Sequence, residues 1–106
     1  TQTFLPEAAD PKVREFVSKY KEKYKENPIP HAAQAYDTAY IIADAVKRAN
    51  SSKSDALKDA IAKTANLQLV TGSPKFNAKG DDTGKRLIIT IIKGDKFELI
   101  KMVPTN

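Results

Sequence analysis

The chain has no cysteine and a single histidine among its 106 residues. No disulfide framework, thiolate metal site or cysteine nucleophile is therefore available, and no second imidazole exists to share a metal. Nor can a Ser-His-Asp constellation be argued from position. Long hydrophobic runs are missing too. The run Leu87 to Ile92 falls far short of the roughly 18 apolar residues that mark a membrane span. The stretch TQTFLPEAAD lacks the basic-then-apolar pattern of a signal peptide. That is compatible with a cytosolic protein, a mature secreted one or a piece of a longer chain. No glycine-rich phosphate loop is present either, because Gly80 and Gly84 stand in a turn before a strand, the wrong context.

A net charge of +5 raises the question of nucleic acid. The cations are mostly lysine and are scattered. The densest run, Lys19 to Lys25, is interrupted by Glu22 and followed by Glu26. Arginine, which reads bases and phosphates bidentately, is scarce. This charge reads as solvated helix surface.

What the chain does have is alanine. Between Pro30 and Asn50 there are seven, at 32, 33, 35, 39, 43, 45 and 49, the residue that loses least on entering a helix. Apolar positions 32, 35, 36, 39, 43 and 46 follow helical spacing and predict the buried face. Ala33, Tyr40, Ile42 and Ala49 widen that face, so a central, mostly buried helix is expected. Its polar residues, Asp37, Asp44 and Arg48, fall within one narrow strip. Asp37 and Asp44, two turns apart, have the spacing of paired acid-base groups. Arg48, four residues after Asp44, makes a surface ion pair the simpler reading.

The neighbouring segments follow from local rules. Thr1 to Ala9 reads as extended, with Pro6 opposing helix. Asp10-Pro11 is a helix start, an Asp N-cap before a proline at the first helical position. Val13, Phe16, Val17, Tyr20 and Tyr24 trace its apolar face, and Asn27-Pro28 ends it near Lys25. Ser52 or Ser54 is expected to cap a third helix with Leu57, Ala60, Ile61 and Thr64 on its core face, ending near Asn66. The run LQLVTG at 67–72 predicts a short strand, and Asn77 to Gly80 a turn. The acidic loop Asn77 to Asp82 is no EF-hand, since Lys79 holds a would-be ligand position and the terminal Glu is missing. Arg86 to Lys93, RLIITIIK, predicts a strand covered on both faces. Gly94-Asp95 predicts a hairpin turn into Lys96 to Val103, with Phe97, Leu99 and Lys101 on one face and Glu98, Ile100 and Met102 on the other.

Three helices, a short strand and one hairpin do not complete a sheet architecture. They describe either a small α+β domain or part of a larger α/β one. Taken in order, F-V-x-K-Y-x-x-K-Y from Phe16, A-A-x-A-Y-D from Ala32, A-D-A-V-K-R-A from Ala43, D-A-L-x-x-A-I from Asp55, V-T-G-x-x-x-F from Val70, N-A-K-G-D from Asn77 and I-x-K-G-D-K-F from Ile91 resemble the C-terminal part of type I periplasmic solute-binding proteins. The nearest group is the branched-chain amino-acid (Leu/Ile/Val-type) receptors of ABC importers. The resemblance implies an α/β fold, a partial Rossmann-like lobe of a two-lobed, hinged protein. Residues 1–84 would belong to the first lobe, and 85–106 would return as a hairpin to the second. It implies a small-molecule amino-acid ligand, an ABC permease as partner, no nucleic acid, no cofactor, no metal and no catalysis. The implied location is periplasmic or extracellular and membrane-associated.

One pocket wall matches Ala33, with Gln34 and His31 beside it as ligand-binding candidates. Without residues that the family supplies elsewhere, weak or absent amino-acid binding is expected of this chain alone. The exposed hairpin is expected to associate as a dimer or a swapped hairpin through 86–103. A second reading, from another class, is a small basic α+β domain that binds nucleic acid or a protein partner. Salt-dependent retention on DNA or RNA separates the two.

Overall fold

Asp10 caps the first helix as its place before Pro11 predicts. Its Oδ1 accepts the backbone N–H of Lys12 at 2.8 Å. The computed structural model describes residues 4–104, so the first residues of the extended segment and the last two of the 85–106 unit lie outside the described residues. In chain order the elements are α1 (Pro11–Tyr24), α2 (Pro30–Ala49), α3 (Ser54–Ala62), β1 (Arg86–Lys93) and β2 (Lys96–Pro104). Lys25 and Asn50 close α1 and α2 in the left-handed region, with φ of 61° and 47°. Two features of α3 differ from the sequence reading. Neither Ser52 nor Ser54 caps it: Lys53 holds the N-cap position without a side-chain bond, and Ser51 Oγ accepts the Lys53 N–H in the preceding turn. The helix also stops at Ala62, where Thr64 turns back and donates both its N–H and its hydroxyl to the Ile61 carbonyl.

The core lies where the leading segment, α1, the start of α2, Val70 and β1 converge. Phe4, Leu5, Ala8, Val13, Phe16, Ala33, Val70 and Ile88 form one buried cluster. Phe16 is its hub, packing edge-on against Phe4 at 5.8 Å and tilted against Tyr36 at 4.8 Å between ring centroids. Ala33 is fully buried here, and its methyl lets α2 approach this cluster closely.

The central helix is not mostly buried. Its buried positions are Ala33, Asp37 and Ala45, whereas Ala35, Ala39, Tyr40, Ile42 and Ala43 are exposed. The apolar stripe read from the sequence is therefore divided: Ala32 and Tyr36 pack on the core while Ala35, Ala39 and Ala43 face outward, and Asp37, set apart from the surface pair of Asp44 and Arg48, faces inward. The physical reason is that α3 and residues 69–71 pack on the Asp37–Ala45 side. Asp37 draws that side in through hydrogen bonds that no apolar residue could make.

Residues 67–72 form no ladder. Among the described residues Gly72 alone of them makes a bridge, to Lys85, and the only sheet is β1 paired antiparallel with β2. A strand needs a neighbour to satisfy its N–H groups, and here Asp37 takes that part for residues 70 and 71.

In the hairpin, Gly94 carries φ of 64° in the two-residue turn, the type II′ pattern that suits the twist of the strands. Ile89 faces Lys101 but Thr90 faces Leu99, so Ile100 is the extra residue of a bulge. The bulge revises the face assignment. Met102 shares the face of Phe97 and Leu99 and reaches the core opposite Ile88, while Lys101 crosses to the other face. Cover on both faces of β1 reaches only its beginning: Ile88 is buried, but Ile89, Ile91 and Ile92 are exposed. The hairpin stretches the molecule to 49 × 33 × 18 Å. Its radius of gyration, 15.2 Å, exceeds the value of about 13 Å that a compact chain of this length would show.

Candidate functional site

Asp37 organises the polar geometry of the fold. Its side chain is buried, and it accepts from the N–H of Val70 at 3.0 Å, the N–H of Thr71 at 2.7 Å and the hydroxyl of Thr71 at 2.7 Å. A carboxylate has the acceptor capacity for all of these donors at once. α2 is thus tied to the segment that leads into the hairpin, 33 and 34 residues along the chain.

Two cavities share Asp37 as a wall. One, of about 160 Å³, opens between α1, α2 and residues 67–70, with Lys12, Glu15, Tyr36 and Tyr40 around an apolar floor of Phe16 and Leu69. The other, of about 150 Å³, lies beside the first turns of α2 and includes Gln34, Thr38, Thr71, Phe76 and Asp82. The three ligand candidates near the start of α2 are placed differently. Gln34 is half-buried at the wall of the second cavity, and its carbonyl accepts the Thr38 hydroxyl at 2.8 Å. His31 is exposed on the first turn, and Ala33 points into the core. The structure brings Gln34 to a cavity; it does not bring His31 or Ala33 to the same one.

Asp37 and Asp44 are not an acid-base pair. Asp44 Oδ2 accepts from Arg48 Nε at 2.7 Å, the expected surface pair, and Arg48 also donates to Thr64 Oγ1 at 3.2 Å. Sequence reasoning missed the buried role of Asp37 because it grouped that residue with Asp44 and Arg48 as one solvent-facing strip. The available signal was a short carboxylate inside an otherwise alanine-lined arc. The acidic loop spends its side chains on itself: Asn77 Oδ1 accepts the N–H groups of Lys79 and Asp81, and Asp82 Oδ1 those of Lys75 and Gly84. Among the described residues, no three of His, Cys, Asp and Glu gather where a metal could sit.

At the first cavity, Tyr36 and Tyr40 share a hydroxyl hydrogen bond of 3.1 Å. That bond, and then burial, raises the Tyr36 phenol above its ordinary value. Glu15 is lowered and Lys19 raised by the hydrogen bond between them, at 2.7 Å on the exposed rim. The Tyr36 shift has a signed consequence. A group that holds its proton more tightly when folded contributes stability below its unfolded value, and that contribution disappears as pH rises through the folded one. Ultraviolet titration of the four tyrosines should show one phenol ionising later than the others. In Tyr40→Phe that delay should shrink.

A family model described as periplasmic binding protein matches residues 1–96. Among solved structures, the chain is similar to a leucine binding protein from Thermotoga maritima, at 29% identity over 97% of this chain and a TM-score of 0.82. It is similar to a branched-chain amino acid transporter substrate binding protein from Streptococcus pneumoniae, solved with isoleucine, at 30% identity over 97% of this chain and a TM-score of 0.83. An ABC transporter substrate-binding protein from Desulfitobacterium hafniense matches at 26% identity over 92% of this chain, with a TM-score of 0.77. The chain spans 29% of the length of each of these proteins. Comparison with curated proteins returned no match.

Proposed function

The chain belongs to the periplasmic binding protein family, and from that premise we propose that it is the C-terminal portion of an extracytoplasmic solute receptor that delivers branched-chain or related amino acids to an ABC permease. The observation that carries this reading is the 30% identity, over 97% of the chain, to a transporter protein solved with isoleucine. The leucine binding protein at 29% identity supports it. Both are solute-binding proteins, which favours binding without catalysis.

In this reading residues 1–84 belong to one lobe and 85–106 cross to the other. The limited contact of the hairpin with the helical body supports that division. Arg86 reaches Asp10 at 3.3 Å, and Ile88 and Met102 meet the core, while Ile91, Ile92 and Ile100 are exposed. The ligand wall lies at the start of α2. Gln34 and His31 present polar atoms there, and Ala33, packed beneath them, sets how closely the helix is seated. The groups that bind the α-carboxylate and α-ammonium belong to the remainder of the two-lobed fold, so the 106-residue chain alone should bind amino acids weakly or not at all.

Titration calorimetry with leucine, isoleucine and valine on the gene product that carries this chain tests the proposal. Heat with at least one of the three is expected, and Gln34→Ala should weaken that binding about tenfold, near 1.4 kcal/mol. Absence of binding to all three would remove the amino-acid reading.

A further inference from the structure

Both residues that bond to Asp37 lead directly to the start of β1. Val70 donates its N–H to the carboxylate at 3.0 Å and buries its side chain in the core cluster that holds Ile88. Val70, Arg86, Ile88 and Met102 line one narrow cleft. Thr71 donates its N–H and its hydroxyl to the same carboxylate, each at 2.7 Å, and the next residue, Gly72, bridges to Lys85 just before β1. The approach there is tight. A Cβ on Gly72 would stand 2.9 Å from the Gly84 carbonyl oxygen and 3.3 Å from the Lys85 Cα, backbone in both cases. One route through packing and one through backbone therefore join a single carboxylate to the crossing strand.

On its own helix Asp37 lies three residues after Gln34, a spacing that puts both on one face. Gln34 and Asp37 line the second cavity together with Thr71 and Gly72. Arg86 also reaches Asp10, but that pair ties β1 to the cap of α1 and not to this face of α2. Packed side chains and hydrogen-bonded backbone are the media through which two sites exchange energy. Asp37 supplies both, and its three bonds, at 3.0, 2.7 and 2.7 Å, leave little slack between α2 and residues 70–71.

We infer that Asp37 is a positioning residue: it couples the seat of Gln34, on the wall proposed for the ligand, to the path by which β1 leaves for the second lobe. The inference rests on that ligand wall and that lobe division, and adds the group through which the two move together.

The test uses the gene product that carries this chain. Thr71→Val removes one donor and leaves both backbone bonds to Asp37 in place, so the fold survives to be measured. Ala60→Gly, a helix-interior change of similar cost on α3, is the control. In ligand-free protein, amide hydrogen exchange at Arg86 to Ile88 should be about fivefold faster in Thr71→Val than in Ala60→Gly. In calorimetry, whichever of leucine, isoleucine and valine binds the wild type should bind Thr71→Val about fivefold more weakly. Ala60→Gly should bind as the wild type does, and Thr71→Ser, which keeps the hydroxyl, should recover the lost affinity. A purely structural tether would lower the denaturation midpoint alike in Thr71→Val and Ala60→Gly and leave their exchange at β1 and their affinities equal, which overturns the inference. Faster exchange confined to Val70 and Thr71 overturns it as well. The exchange measurement contains no amino acid, so failure of the coupling is told apart from failure of the ligand reading.

Discussion

Asp37→Ala should lose about 4 kcal/mol of folding stability, since two buried N–H groups would be left without an acceptor at about 1–3 kcal/mol each. These donors, on Val70 and Thr71, are buried with the carboxylate, and water does not readily take its place. For a chain of this size, whose total stability is expected to be about 5–15 kcal/mol, the loss is a large fraction of the whole. Asp37→Asn should not rescue it. Oδ1 serves Val70 and Oδ2 serves Thr71, so an amide must turn its NH₂ toward one of the two backbone N–H groups. Thr71→Val removes only the hydroxyl donor and should cost about 1 kcal/mol. Urea denaturation of the three variants measures the series. A loss in Asp37→Ala no larger than in Thr71→Val would show that the tether contributes little.

Gly84→Ala should be the second severe change, costing about 3 kcal/mol. A Cβ at that position would overlap the carbonyl oxygen of Ser73, which is backbone and cannot swing aside. The crowding arises where residues 72–76 run back along 82–85, joined by the bridges Gly72–Lys85 and Phe76–Asp82. The same substitution at Gly80 provides the control. Its Cβ would meet nothing within 4 Å, although its φ of +87° is unfavourable for alanine, which costs about 1–2 kcal/mol. Gly84→Ala should therefore have the lower denaturation midpoint of the two. It should also loosen the hairpin, visible as faster amide exchange in Thr83 and Lys85. Equal midpoints would mean that the crossing relaxes without cost.

Together these changes separate two kinds of information in the sequence. Local rules act over a few residues and were legible directly. Asp10 before Pro11 starts a helix, Asn27-Pro28 ends one, seven alanines make another, and Gly94-Asp95 turns a hairpin. The order of motifs was also legible, and with it the family. The failures share one cause. An apolar stripe shows that a helix has two sides, but not which side meets its neighbours. Asp37 revises the reading of α2 because its partners lie 33 and 34 residues away. The same carboxylate replaces a strand neighbour at residues 70–71, and the Ile100 bulge moves Met102 across the sheet.

The sequence by itself determined the ends of α1 and α2 and the hairpin turn, though not the cap and end of α3, because capping, proline and glycine chemistry acts within a turn of the chain. Only the tertiary structure decided which face of α2 is inside, how the 67–72 segment satisfies its N–H groups, and which hairpin residues reach the core. Each of these is settled by hydrogen bonds and packing between residues distant in sequence, where burial of a single carboxylate outweighs the pattern of the alanines around it.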